Sequence, residues 1–148
     1  AKMITKAFGD IINSITFILI AFSAISLLVS SVMIGILIYV SVVERTKEIG
    51  ILRALGSRKK DVSRIFNAEA GILGFTSGVL GVAVATALTV PINKLVAKSL
   101  DISGFNASVS PSTAVSLIIL SVVLTLIAGF IPSRIAAKKN PVEALRTE

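Results

Sequence analysis

The chain has 148 residues, 54% of them hydrophobic and 16% charged, with a mean hydropathy of +0.93 and a net charge of +7. A soluble domain that presents charge to water is far less apolar, so this composition belongs in a bilayer. Histidine and cysteine are absent, which excludes the usual soft-ligand metal sites, thiol catalysis and disulfides and leaves the redox compartment open.

A positive balance of this size is compatible with phosphate binding, yet the placement of the charges argues against nucleic acid. No charged residue stands between Asp10 and Glu44, between Glu69 and Lys94, or between Asp101 and Arg134. The apolar residues are gathered into three blocks with the basic residues in the gaps, as a bilayer protein requires. The expected fold is all-α and integral to the membrane, with three transmembrane helices.

The chain opens on Ala1, which points to a processed product or a piece of something longer. Lys2 and Lys6 with Ile4, Phe8 and Ile11 form a short mixed stretch suited to a membrane surface. A signal peptide is excluded, because the apolar run that follows exceeds the roughly 7–15 residues of such a segment. From Ile11 to Val43 the chain is uncharged. A helix of that length reaches roughly 50 Å at about 1.5 Å per residue, more than the roughly 30 Å of hydrocarbon it must cross. The first span is therefore set at about 12–43, tilted or continuing as a stalk. Ser14, Ser23, Ser26, Ser30 and Ser31 can bond the backbone or a neighbouring helix, and Tyr39 belongs near the inner interface.

Residues 44–69 form the segment around which the chain is organised. Glu44, Arg45, Thr46, Lys47, Glu48, Ile49, Gly50, Ile51, Leu52, Arg53, Ala54, Leu55 and Gly56 place five charged residues and two glycines in thirteen positions. Ile51, Leu52 and Leu55 recur at helical spacing, with Arg45, Lys47 and Arg53 on other faces. Gly50 weakens a helix by about 1 kcal/mol relative to Ala, so a bend is expected there; Gly56 is a stop and Ser57 a cap for the next helix. Glu44 and Glu48 beside Arg45 and Lys47 are expected to form exposed ion pairs. Arg58 to Glu69 reads as a separate amphipathic helix, with Val62, Ile65 and Phe66 opposite Lys60, Arg64 and Asn67. It would lie along anionic headgroups.

The second span, 70–92, carries Gly71, Gly74, Gly78, Gly81 and Ala85 at alternating spacings of three and four, a face for close helix packing that includes a GxxxG match. Pro91 kinks or ends it. Residues 93–110 form an external loop with Asp101, Gly104 and Asn106 as turn residues. Asn106-Ala107-Ser108 fits the glycosylation pattern, a short match that chance often supplies. Ser110 and Pro111 supply a cap and a first helical position for the third span, 111–132. Pro132 marks its inner end, with Arg134, Lys138 and Lys139 just beyond. In the tail, 133–148, Asn140, Pro141 and Glu143 start a last short helix.

Eleven basic residues fall in the Glu44 loop and the tail, and four on the other side. The loop and the C-terminus are thereby assigned to the cytoplasm, and the N-terminus to the outside. A first span entering from outside suggests that an earlier span and an external domain precede Ala1. The spans carry no ionisable residue, which disfavours ion coupling; Glu69, at the edge, reads as interfacial. No P-loop string occurs and no histidine offers a general base, so the chain is not an enzyme and any ATP hydrolysis resides elsewhere.

The segment Glu44 to Gly56, the glycine-rich span after it and the closing Asn140-Pro141-Val142-Glu143-Ala144-Leu145-Arg146 together resemble the C-terminal transmembrane domain of the MacB-like (FtsX-like) ABC transporter permeases. The resemblance covers nearly the whole chain. It implies a four-span subunit with a large external domain between the first two spans, working as a homo- or heterodimer. An ABC ATPase partner, separate or fused, binds the ATP and Mg; no cofactor is held by this chain. Residues Glu44 to Gly56 match the coupling helix that docks on the ATPase, and motion is transmitted to the external domain for export, lipoprotein release or antimicrobial-peptide resistance. The contrasting reading is a passive membrane scaffold whose basic loop, Arg58 to Arg64, binds anionic lipid.

Overall fold

The computed structural model describes residues 1–100, 106–138 and 140–146, all helix and connection. Five helices follow in order: α1 (Lys2–Glu44), α2 (Thr46–Ala54), α3 (Lys59–Leu100), α4 (Pro111–Lys138) and α5 (Pro141–Arg146). Three of them, α1, α3 and α4, are long and apolar enough to cross a membrane. At about 1.5 Å per residue α1 extends to roughly 65 Å, twice the hydrocarbon thickness. Along it Ser14, Ser23 and Ser31 donate to the carbonyls of Asp10, Leu19 and Leu27, each at 2.8 Å. Those hydroxyls are satisfied within their own helix and demand no partner.

The fourth helix is central, with α1 against one side and α3 against the other, while α2 packs on α5. The core lies at one end of the bundle. Ile38 and Val42 of α1, Ile49 of α2, Val62, Phe66 and Ala70 of α3, and Ala136 of α4 close together there. Towards the other end α1 leaves the bundle: every residue from Ile11 to Ser30 is exposed.

Close approach, and not bulk, joins the long helices. A Cβ on Gly74 would stand 2.8 Å from Val122 Cα, and one on Gly78 would stand 3.1 Å from Ile118 Cα. Ser121 reaches across and donates to the Gly74 carbonyl at 2.8 Å. Further along α4, Gly129 faces Ala70 Cβ of α3 and Ile38 Cδ1 of α1, which a Cβ would meet at 2.9 and 3.0 Å. Without a hydrophobic drive inside lipid, such backbone proximity and interhelical hydrogen bonding are what hold helices together.

Several local expectations are corrected. The amphipathic stretch 58–69 and the second span form one continuous helix, α3, with Val62 and Phe66 buried in the core instead of lying on headgroups. Pro91 does not end α3, which continues to Leu100. Pro132 does not end α4 either; its ring is buried and the helix runs on to Lys138. Proline there cannot bond the Ala128 carbonyl one turn back. Gly35 of α1 comes up to that carbonyl, so close that a Cβ would lie 3.2 Å from it. The freed oxygen thus faces a neighbouring backbone, which is how membrane helices tolerate proline. Pro111 and Pro141 do open their helices. Ser57 is not the α3 cap: the cap position falls on Arg58, whose backbone N–H donates to Asp61 Oδ2 at 3.1 Å, one half of a capping box. Asp101 and Gly104 lie outside the described residues. Asn93 instead holds the far side of that connection, exchanging hydrogen bonds with Ala107 at 2.8 and 2.9 Å.

Candidate functional site

Between α1 and α3 the chain makes a short foot. The break comes at Arg45, where φ is −95° and ψ is 16°; Gly50, the expected bend, lies inside α2 and is buried. Thr46 donates back to the Val42 carbonyl at 3.0 Å, tying the first turn of α2 to the last turn of α1. At the other end the Gly56 N–H donates to Arg53 O and the Ser57 N–H to Leu52 O, at 3.2 and 3.1 Å. This double closure needs a left-handed residue after the helix, and Gly56 supplies it with φ at 101°.

The nine residues of α2 divide cleanly. Ile49 and Gly50 are buried and Thr46 and Arg53 half-buried, and the Arg53 guanidinium donates from Nη1 to the Ala137 carbonyl at 2.7 Å. That bond crosses to the last turn of α4, where a helix presents carbonyls without intrahelical partners. The opposite face carries Lys47, Ile51 and Leu55 at four-residue spacing, flanked by Glu48, Leu52 and Ala54, all exposed. Leu55 is 81% exposed, Ile51 45% and Leu52 40%. The strip lies outside the three long apolar helices and is rimmed by charge. Lys47 therefore shares a face with Ile51, contrary to the expectation from spacing.

Of the charged residues proposed for the site, Arg45 does not pair with Glu48. Its Nη1 lies 4.0 Å from Glu69 Oε2 on α3, and no ion pair of Glu44 or Glu48 occurs among the described residues. Both partners are partly exposed, so the pair is worth at most about 1 kcal/mol. The helix-packing residues also divide. Gly74 and Gly78 are buried against α4 and Gly71 meets Leu126 at ordinary contact distance, whereas Gly81 and Ala85 are exposed, with open space at Gly81. The α4 side of that contact carries a single glycine, Gly129, and its other small residues are serine, threonine and alanine. Ser121, Thr125, Gly129, Ser133 and Ala137 recur every four residues as a ladder of small side chains, buried from Thr125 onward. The four-residue repeat is present in the sequence, but serine and threonine stand out less than glycine as small residues in an apolar run.

Three helices long and apolar enough to cross a membrane, with a short charged helix exposed where they converge, define a membrane protein of the all-helical class. The chain belongs to the family described as FtsX-like permease C-terminal, which matches residues 20–141. It is similar to an uncharacterized ABC transporter permease of Methanocaldococcus jannaschii, 36% identical over 148 residues, which covers 100% of this chain and 37% of that protein. It is 32% identical over 145 residues to the macrolide export ATP-binding/permease protein MacB of Bdellovibrio bacteriovorus, covering 98% of this chain and 21% of the relative. Identity to the pyoverdine export ATP-binding/permease protein PvdT of Pseudomonas putida is 35% over 136 residues, 92% of this chain and 20% of that protein. The chain thus spans between a fifth and little more than a third of the length of these relatives.

Proposed function

We propose that this chain is the non-catalytic transmission part of an ATP-driven membrane machine. Lys47, Glu48 and Ile51 of α2, with Leu55 directly after it, dock on an ATP-hydrolysing partner. Ile49, Gly50 and Arg53 fix α2 to the bundle, so that force applied to the exposed face is delivered to α1 and α4. The observation that carries this reading is the division of α2, with one face locked to three other helices and the other greasy and free. Names that join "ATP-binding" to "permease" among the relatives support a partner of that kind. On this reading α2 and the C-terminus lie in the cytoplasm, the start of α1 lies outside, and two permease subunits face each other in the cell membrane. The cargo is an exported molecule, a released lipoprotein or an antimicrobial peptide.

Ile51→Glu and Leu55→Glu are expected to abolish co-purification with the ATP-hydrolysing partner and its stimulation, while membrane insertion stays normal. Unchanged complex yield and unchanged stimulation would remove the docking role.

A further inference from the structure

A second surface, distinct from the α2 face, lies where the start of α3 meets the end of α4. A groove of about 420 Å³ opens there. From α3 it is lined by Lys59, Lys60 and Arg64, and from α4 by Arg134 and Lys138. Ser63 adds a hydroxyl. No carboxylate is among the described lining residues: the Asp61 side chain is engaged by the Arg58 N–H and Glu69 faces Arg45. Five like charges around one groove repel each other unless an anion joins them, and the focused positive potential recruits one.

The floor of the groove shows which kind of anion fits. Phe130 lines it and is 48% exposed, and the same ring borders an adjoining groove of about 410 Å³ formed with Leu126, Ile127 and Ile131. That second groove runs along the transmembrane part of α4 and is almost wholly apolar. Arg134 stands at the junction of the two, its guanidinium carbon 4.4 Å above the centre of the Phe130 ring. Arg134 lines the basic groove and stacks on the Phe130 ring, and that ring lines both grooves, so it joins the charged site to the apolar one. A free phosphate would use only the upper half of this arrangement. A phosphodiester headgroup carrying an acyl or isoprenoid chain would use all of it, and basic pockets between transmembrane helices are suited to such headgroups.

We propose that the junction of α3 and α4 binds one anionic phospholipid, its phosphate among Lys60, Arg64, Arg134 and Lys138 and one apolar chain along Phe130 and Ile127. The inference rests on the membrane placement of α3 and α4 and not on the docking role of α2. Bound there, the lipid's phosphate offsets part of the repulsion among the facing cations and bridges the two helix ends whose packing supports α2.

The test uses the full-length protein in detergent, with phosphatidylglycerol, phosphatidylcholine and inorganic phosphate as separate probes, and native mass spectrometry as the readout. One phosphatidylglycerol per chain is expected to be retained, at least tenfold more than phosphatidylcholine, with no retained inorganic phosphate. Arg134→Gln with Lys138→Gln should lower that retention at least tenfold. Lys2→Gln with Lys6→Gln, removing the same charge far from the groove, should leave it unchanged. If the α4 pair fails to yield folded protein, Lys60→Gln with Arg64→Gln makes the same test from α3. Equal retention of the two lipids, retention of phosphate alone, or equal loss from the distant pair would overturn the proposal. So would an α4 variant that keeps the lipid but loses the ATP-hydrolysing partner, since the groove would then be a protein-docking surface.

Discussion

Gly74, Gly78 and Gly129 show how little room single residues leave between these helices. Adding a methyl group at Gly74 would press it against Val122 Cα and Thr125 Oγ1, both at 2.8 Å, a backbone and a buried side chain that cannot swing away. Gly74→Val and Gly129→Val are accordingly expected to lower stability by about 1–3 kcal/mol, measured by detergent-titrated unfolding. Gly81→Val, facing open space, should be nearly silent. The glycines of α3 were legible from spacing, since glycine is conspicuous in an apolar run. Gly35 was not, because nothing in its own neighbourhood signals that a proline on another helix has left a carbonyl bare beside it. Arg53 was legible as a charge but not as a clamp; its role depends on where α4 ends, and Pro132 signals an earlier end than the Lys138 the helix reaches. Loss of its bond to Ala137 in Arg53→Ala should lower stability by about 1–2 kcal/mol, discounting a charged hydrogen bond for partial exposure.

The element with the sharpest internal contrast is α2. Ile49 is 3% exposed and Leu55 81%, so truncating them should produce opposite phenotypes. Ile49→Ala is expected to destabilise the fold by about 2–4 kcal/mol, whereas Leu55→Ala should stay within about 0.5 kcal/mol in unfolding and weaken partner binding in pull-down. Gly56→Ala belongs to the same element: with φ at 101° a side chain there adds about 1 kcal/mol of strain and should destabilise the end of α2 in hydrogen exchange. The apolar strip of α2 and its glycine stop were both readable from periodicity and turn chemistry. The break at Arg45 was not, because it occurs without glycine or proline and is set by the packing of Ile49 under α1 and α3. For the converse reason, α3 was read as two pieces. Its polar first turns and greasy remainder differ in solvent, not in backbone conformation, and composition cannot tell those apart.

At the scale of the whole molecule, the three spans and their order were legible because bilayer thickness imposes a length and a hydropathy on each. The unequal distribution of the core was not, since it arises from which helices meet at which depth. Phe66→Ala, in the core, is expected to destabilise by about 3 kcal/mol or more. Phe17→Ala on the free part of α1 should scarcely register in the same unfolding assay. Because these 148 residues contain no cysteine, Ser57→Cys labels the foot without competition from them. It should resist a membrane-impermeant thiol reagent in intact cells and react once the membrane is opened, and labelling from outside would reverse the proposed orientation.

Among the described residues α1 is held near its α2 end, where α1, α2, α3 and α4 converge, and its stretch from Ile11 to Ser30 is exposed, the geometry of a lever arm. For a helix of roughly 65 Å, a tilt of about 5° at the gripped end sweeps the Lys2 tip through roughly 5 Å. Under the docking role proposed for the α2 segment, an ångström-scale nudge at Leu55 would gain several-fold in stroke at the far tip, with a proportionate loss of thrust.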